Sequence, residues 1–199
     1  MKAIVFDFGN VIGFFDHRRA TARLAEHAEL SSEAIFAQLF GGSLEDDYDS
    51  GRLTTAEYVR QVRQRCGLRC PDDVLAAAYG DIFWPNEEVC ALLPLLKPRC
   101  RLLLGSNTNE LHALQFTRQF ADVLHWFDAV VLSYQVGARK PQPAFFGHCQ
   151  RLAGCAPQEG LFIDDLPANV AGAVACGWHG HVYTGTEDLR RRLGALGVL

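Results

Sequence analysis

The sequence has no long hydrophobic run and no strong excess of either charge. No apolar stretch in its 199 residues approaches the roughly 20 residues that a membrane helix needs. The formal net charge is only −4, which gives no reason to expect nucleic acid or an anionic membrane as a partner. Lys2 runs directly into a short apolar strand, so we also expect no signal peptide.

Cysteine pairs with the spacing of a metal site are missing as well. The seven cysteines are scattered along the chain and contain no C-x-x-C pair. Cys66 and Cys70 flank a Gly-Leu-Arg loop, but a zinc site would need further ligands with comparable spacing. We therefore predict reduced cysteines, several of them buried as small apolar residues, in a cytoplasmic protein.

What the sequence does contain is a regular alternation of short strands and helices. Strands are predicted at residues 3–6, 100–104, 127–132, 161–163 and 179–183. Helices are predicted between and after the later strands, at residues 86–96, 109–120, 141–152, 169–175 and 187–196. Alternating strands and helices imply right-handed crossovers and a parallel sheet. The predicted fold class is α/β, with a Rossmann-like parallel sheet and helices on both faces.

Residues 16–84 interrupt this alternation, because their pattern predicts four or five short helices and no strand. Ser31 or Ser32 is expected to cap one helix, and Thr54-Thr-Ala-Glu57 is a capping box that begins another. We therefore predict a small inserted all-helical cap domain at residues 16–84. Residues 1–15 and 85–199 would then form the catalytic core domain.

Polar side chains suited to one chemistry lie at or beyond the ends of four predicted strands. They are Asp7, Ser106, Asn107, Lys140, Asp164 and Asp165. In open parallel sheets, functional groups gather at the carboxyl ends of the strands. Adjacent carboxylates after a buried strand need a cation or hydrogen bonds, and hard oxygen ligands are suited to Mg²⁺. The set matches what phosphoryl transfer through an aspartyl phosphate requires.

Three of these residues have a simpler explanation when each is taken alone. Asp7 would be a turn residue or a helix cap, and Ser106 would belong to a turn that only caps the next helix. Lys140 would be a solvated surface residue. Only the combination, in this order along the chain, indicates phosphoryl transfer.

With these four motifs and a helical insertion after the first, the whole chain resembles the haloacid dehalogenase (HAD)-like hydrolase superfamily. The insertion resembles the cap of the subfamily that carries it between motifs one and two. The resemblance implies a Mg²⁺-dependent phosphatase that acts on a small phosphorylated metabolite, which is the expected partner. The sequence gives no indication of the oligomeric state.

The resemblance also implies a role for each motif residue. Asp7 would be the nucleophile and a Mg²⁺ ligand, while Ser106 and Asn107 would hold the phosphoryl group. Lys140 would neutralise Asp7 and the transferring oxygens. Asp165 would bind Mg²⁺, with Asp164 close by through water or a hydrogen bond. Asn169 stands where many relatives carry a further acid.

Gly9 departs from the pattern of the superfamily. Most of its phosphatases carry a second Asp two residues after the nucleophile, which protonates the leaving group and binds Mg²⁺ through its carbonyl. Gly9 keeps the carbonyl as a metal ligand but lacks the acid. The Asp-Phe-Gly-Asn-Val form resembles a branch of bacterial sugar-phosphate phosphatases similar to α-glucose-1-phosphatase. Asp16 or His17 would be another proton source, although Asp16 is expected mainly to cap the helix that follows.

Two other functions are compatible with these residues. One is that of a dehalogenase- or phosphonatase-type hydrolase of the same superfamily, since both also lack the second Asp. The other is that of a non-catalytic protein that binds a phosphoryl ligand.

The substrate would be set by side chains of the insertion that face the sheet. The residues expected to do so are Asp16, Arg18, Asp46, Tyr48 and Trp84.

Overall fold

The computed structural model describes all 199 residues, and the chain forms seven strands. They are β1 (Ala3–Phe6), β2 (Gly13–Phe15), β3 (Phe83–Pro85), β4 (Arg101–Ser106), β5 (Ala129–Leu132), β6 (Gly160–Asp164) and β7 (His179–Val182). Five of them form one sheet in the order β5-β4-β1-β6-β7, and every neighbouring pair is parallel. This confirms the predicted α/β class.

Thirteen α-helices connect and cover these strands. They are α1 (His17–Ala25), α2 (Ser32–Phe40), α3 (Leu44–Asp49), α4 (Thr55–Cys66), α5 (Asp72–Gly80), α6 (Glu87–Cys90), α7 (Leu93–Leu96), α8 (Glu110–Gln119), α9 (Ala121–Leu124), α10 (Ser133–Val136), α11 (Pro143–Ala153), α12 (Pro167–Ala175) and α13 (Thr186–Ala195). A single 3-10 turn at Pro157–Glu159 leads into β6. No helix of the chain is both long enough and apolar enough to cross a membrane.

The central strand β1 sets the position of the functional residues. Its four residues are fully buried, and it pairs with β4 on one side and β6 on the other. Phe6 lies in register with Leu104 of β4 and with Ile163 of β6. Because all three strands are parallel, the residues that follow them emerge at the same edge of the sheet.

Both faces of the sheet are covered by apolar side chains. Ile4 and Phe6 of β1 belong to a cluster of 25 buried residues on one face. Ala3 and Val5, which point the other way, belong to a cluster of 12 buried residues on the opposite face. A strand that is buried on both faces has no polar alternation, which explains the continuous apolar run in the sequence.

The helices between β2 and β3 have a core of their own. A separate cluster of 14 buried residues comes almost wholly from α1 to α5 and the loop that joins α4 to α5, and Leu111 of α8 is its one member from outside this segment. The Thr54 capping box forms as predicted, with hydrogen bonds in both directions between Thr54 and Glu57. Ser31 caps α2. The boundaries of a cap domain at residues 16–84 stay a prediction.

Two local predictions are wrong. The region 16–84 is not free of strand, because β3 pairs with β2 in a two-stranded antiparallel sheet. Phe15 lies opposite Phe83 in this pair, and a contact between segments so far apart leaves no local periodicity. The helix predicted at residues 86–96 is broken into α6 and α7, and Asn86 occupies the N-cap position of α6 without a capping hydrogen bond from its side chain. Its amide nitrogen instead donates to the Val11 carbonyl.

We expect Leu75→Ala to destabilise the helical insertion. Leu75 is fully buried in the cluster of α1 to α5, so its truncation leaves a cavity and should lower the free energy of unfolding by about 2–5 kcal/mol. Denaturant unfolding measures this loss. The matched control is Leu95→Ala, whose side chain is 53% exposed and which should change stability by about 0.5 kcal/mol or less. Equal losses in the two variants would contradict the assigned core.

Candidate active site

A cavity of about 340 Å³ lies at the carboxyl edge of the sheet, between the strand ends and the inserted helices. Most of the predicted site residues line it, namely Asp7, Gly9, Ser106, Asn107, Lys140 and Asp165. Asp164 is fully buried and does not reach the cavity surface. The structure therefore brings the four sequence motifs together at one place.

The ammonium group of Lys140 lies between two carboxylates. Its Nζ is 2.6 Å from Asp7 Oδ1 and 2.7 Å from Asp164 Oδ2, and all three side chains are buried. Burial alone lowers the pKa of Lys140, but the Asp7 and Asp164 carboxylates outweigh it and raise that pKa above its usual value. The lysine is therefore held as a cation in the interior of the protein.

Asp7 has one oxygen engaged and one free. Oδ1 accepts hydrogen bonds from the Phe8 backbone N–H at 2.7 Å and from Lys140. Oδ2 accepts none, and it is open to the cavity. Burial raises the pKa of Asp7 to about 7; the Asp164 carboxylate adds to this rise and Lys140 opposes it. A carboxylate fixed through one oxygen, with the other free, is arranged for attack or for metal coordination.

Asp164 accepts hydrogen bonds on both oxygens. Its partners besides Lys140 are the Leu166 backbone N–H, at 2.9 Å from Oδ1, and the Asn169 amide nitrogen, at 2.9 Å from Oδ1 and 3.1 Å from Oδ2. These bonds satisfy the buried carboxylate and fix its orientation toward the lysine. Asn169, at the position where many relatives carry an acid, is thus engaged with Asp164.

Three carboxylates lie close enough to share a metal ion. Oxygen atoms of Asp7, Asp164 and Asp165 lie within 4.8 Å of one another. Asp165 is half-buried, and its Oδ2 accepts a hydrogen bond of 2.9 Å from the Asn10 amide. Burial raises the pKa of Asp165. Hard oxygen donors with one side open to the cavity fit Mg²⁺.

Asn107 fixes the loop that carries Lys140. Its Oδ1 accepts from the Lys140 backbone N–H at 2.8 Å, and its Nδ2 donates to the Lys140 carbonyl at 3.0 Å. The side chain predicted to hold a phosphoryl group is therefore already used as a clamp on the lysine backbone. Ser106, the last residue of β4, is buried at the cavity wall beside it.

The cavity is also lined by residues to which the sequence patterns assign no role or only a secondary one. His17, Glu45 and Asp49 come from the inserted helices, and Arg139 precedes Lys140. Glu45 Oε1 is 3.5 Å from His17 Nε2, and Arg139 forms ion pairs with Asp46 and Asp49. Burial raises the pKa of Glu45 to about 8 and lowers that of His17 to about 4.

None of the five residues expected to set the substrate lines the cavity; these were Asp16, Arg18, Asp46, Tyr48 and Trp84. Asp16 caps α1 by accepting a hydrogen bond from the Arg18 N–H.

Glu45 and Asp49 have a spacing in the sequence that would have indicated a shared position. Their i, i+4 spacing places them on one face of α3. Which face of the acidic stretch meets the site depends on packing that local sequence does not encode.

Gly9 has ordinary backbone geometry, and the space beside it is filled. The left-handed residue of this loop is Asn10, with a φ of 57°. A Cβ built on Gly9 would lie 2.9 Å from Cε1 of Phe15. An aspartate at this position would therefore meet the Phe15 ring.

Comparison with known proteins identifies relatives over most of the chain. The model of the haloacid dehalogenase-like hydrolase family matches residues 1–177. The D-ribitol-5-phosphate phosphatase of Bacteroides thetaiotaomicron is 26% identical over 178 residues, which are 85% of each protein. A glyceraldehyde 3-phosphate phosphatase of Methanopyrus kandleri is 27% identical, over 89% of this chain and 81% of that protein.

Several solved structures also share the fold of this chain. A HAD-like family hydrolase from Porphyromonas gingivalis is 28% identical with a TM-score of 0.82, over 97% of this chain and 98% of that one. A HAD family enzyme from Bacteroides thetaiotaomicron, solved with magnesium and inorganic phosphate, is 26% identical with a TM-score of 0.77. The match covers 91% of this chain and 93% of that chain.

The buried lysine generates a stability prediction. Lys140→Met leaves the Asp7 and Asp164 carboxylates buried without a cation, which should lower the free energy of unfolding by about 3–5 kcal/mol in metal-free buffer. Denaturant titration measures this change.

The control is Lys97→Met, which removes a lysine paired with Asp128 at 2.8 Å but 30% exposed. An ion pair of this kind should contribute about 1 kcal/mol or less. A loss in Lys140→Met no larger than in this control would contradict the three-residue charge arrangement.

Proposed function

The chain belongs to the haloacid dehalogenase-like hydrolases, and we propose that it hydrolyses small phosphorylated metabolites with Asp7 as the nucleophile. The observation that carries the proposal is the arrangement of Asp7, with Lys140 on Oδ1 and Oδ2 open to the cavity. Sugar or polyol monophosphates are the proposed substrates. The relatives named as phosphatases of D-ribitol 5-phosphate and glyceraldehyde 3-phosphate support that class.

Magnesium is the cofactor that fits this site. Asp7, Asp165 and the backbone carbonyl of Gly9 would hold it, with Asp164 beneath them bound to Lys140. When bound, the ion supplies positive charge that stabilises the phosphoryl oxygens. The related structure solved with magnesium and inorganic phosphate supports this assignment.

Each side chain around the phosphoryl group has a separate role. Asp7 Oδ2 attacks phosphorus, while Lys140 keeps Asp7 oriented and balances the charge of the transferring oxygens. Ser106 donates its hydroxyl proton to a phosphoryl oxygen in a hydrogen bond. Asn107 contributes by clamping the Lys140 backbone. Water then hydrolyses the aspartyl phosphate and restores Asp7.

The charges of the cavity favour a small substrate with a single phosphate. Besides Lys140, the cationic side chain at the wall is Arg139, and it is already paired with Asp46 and Asp49. A second phosphate would therefore meet the Asp49 carboxylate and the Glu45 carboxyl group without a free cation. Carboxyl oxygens of this kind are instead good acceptors for substrate hydroxyl groups.

The rival activities find less support in the site. A dehalogenase needs no metal, whereas Asp7, Asp164 and Asp165 place three carboxylates together with Lys140 as the one cation bonded to them, which leaves negative charge for a metal ion to neutralise. A phosphonatase would need a lysine in the cap for a Schiff base, and residues 16–84 contain none. A binding protein without chemistry would not require an open Asp7 carboxylate.

We also propose a cytoplasmic location for the enzyme. All seven cysteines are free thiols in the structure, which is the usual state in a reducing compartment.

We expect Asp7→Asn to abolish phosphate release from sugar monophosphates, because an amide oxygen is a poor nucleophile toward phosphorus. Removing Mg²⁺ with a chelator should have the same effect on the unaltered protein, and adding Mg²⁺ back should restore activity. Released inorganic phosphate is measured over a panel of phosphorylated metabolites.

The matched control is Asp72→Asn, which removes an exposed carboxylate at the start of α5 that pairs with Arg63. It should retain full activity, and both variants should unfold cooperatively. Substantial turnover by Asp7→Asn, or by metal-free protein, would contradict the proposed function.

A further inference from the structure

The proposed function leaves the proton of the leaving group without a source. Gly9 stands where a second Asp would supply it, and the Phe15 ring fills the space of such a side chain. A sugar or polyol alkoxide is a poor leaving group, so its departure needs an acid. The acid must come from another group that reaches the cavity.

Most titratable groups of the cavity are unsuited to this task. Asp16 caps α1 and does not line the cavity. His112 accepts a hydrogen bond from the Asn109 amide on Nδ1, and burial lowers its pKa to about 3. Burial likewise keeps His17 neutral near pH 7. Neutral imidazoles are very weak acids.

Asp49 is also unsuited, because both of its carboxylate oxygens already have partners. Its Oδ1 accepts from the Asn109 amide at 2.9 Å, and its Oδ2 lies 3.6 Å from an Arg139 nitrogen. Burial raises the pKa of Asp49 to about 6, and the Asn109 hydrogen bond and the Arg139 guanidinium hold it below that of Glu45, so the carboxylate is the main form near pH 7. It therefore positions neighbours and does not supply a proton.

Glu45 is the carboxyl group that remains. It lies on α3, lines the same cavity as Asp7, and accepts no hydrogen bond from any donor within the chain. Its nearest polar partner is the neutral His17, with 3.5 Å between Oε1 and Nε2. The Glu45 side chain is 23% exposed, and no hydrogen bond within the chain occupies either of its carboxyl oxygens.

The groups around Glu45 favour its protonated form. Burial raises its pKa to about 8; the Asp49 and Asp46 carboxylates of the same helix add to the rise, and Arg139 opposes it. His17, the titratable neighbour from α1, carries no charge that would offset this. A carboxyl group that keeps its proton near neutral pH is what a general acid requires.

We propose that Glu45 is a catalytic residue that donates the proton to the leaving oxygen, replacing the acid that Gly9 lacks. This inference rests on the proposed function. As Asp7 Oδ2 bonds to phosphorus, the bond between phosphorus and the leaving oxygen breaks, and that oxygen keeps the electron pair. It takes the Glu45 proton and departs as a neutral alcohol.

The second half of the cycle restores both carboxyl groups. The Glu45 carboxylate takes a proton from the water that attacks the aspartyl phosphate. The bond between phosphorus and Asp7 Oδ2 breaks, its electron pair returns to the carboxylate, and inorganic phosphate leaves. One ester and one water become one alcohol and one phosphate.

The test compares two classes of substrate with Glu45→Gln in the presence of Mg²⁺. Turnover of a sugar monophosphate should fall about 10²-fold or more, because the amide cannot give up a proton. Turnover of 4-nitrophenyl phosphate should stay within about threefold, because nitrophenolate departs without one. For the unaltered enzyme, kcat on the sugar phosphate should fall as the pH rises through the pKa of Glu45, about 8, and Glu45→Gln should lack this limb.

Asp47→Asn is the matched control. It removes a carboxylate from the same helix that pairs with Arg52 and does not line the cavity, so both substrates should be turned over normally. Glu45→Asp, which keeps the acid on a shorter arm, should recover part of the sugar-phosphate activity.

The outcomes separate this inference from the function on which it rests. If the unaltered protein hydrolyses neither substrate, the proposed function fails. If it hydrolyses both and Glu45→Gln lowers both equally, or neither, Glu45 is not the acid. A folded Glu45→Gln variant with an unchanged pH profile would also overturn the inference.

Discussion

The buried ammonium of Lys140, shared by Asp7 and Asp164, is the interaction on which the rest of the site depends. Two carboxylates this close would repel each other and resist burial without a cation between them. The surrounding contacts keep that cation in place, since Asn107 clamps the Lys140 backbone and Asn169 orients Asp164. The result is a carboxylate, Asp7, that stays buried and still presents one oxygen to the cavity.

The two parts of the chain contribute different groups to this cavity. The parallel sheet supplies the nucleophile after β1, the acidic residues at the end of β6 and the lysine beyond β5, because these parallel strands end at one edge. The inserted helices supply Glu45 and Asp49, which line the same cavity. The Arg139 ion pairs with the acidic residues of α3 link the two parts immediately beside Lys140. The position of the helices and that of the lysine loop are therefore physically connected.

Much of the core was predictable because its signals are local. Two strand ends can be located from local sequence alone. One follows the apolar run before Asp7, and the other is marked by the Asp164-Asp165 pair after a second apolar strand. The features that escaped prediction depend on contacts between distant segments. The β2–β3 pair, the Phe15 ring beside Gly9 and the clamp of Asn107 on Lys140 leave no periodicity in the sequence. Glu45 has the right spacing on α3, but only packing selects it over its acidic neighbours.

The most direct test of the account is to trap the covalent intermediate. Enzyme with Mg²⁺ is mixed with a sugar monophosphate, quenched in acid within the first turnover, and its peptides are analysed by mass spectrometry. An aspartyl phosphate on Asp7 would add the mass of one phosphoryl group to the peptide that contains this residue, and hydroxylamine should remove that group, as it does from acyl phosphates. Phosphate release without any phosphorylated peptide, or with the phosphoryl group on a residue other than Asp7, would contradict this mechanism.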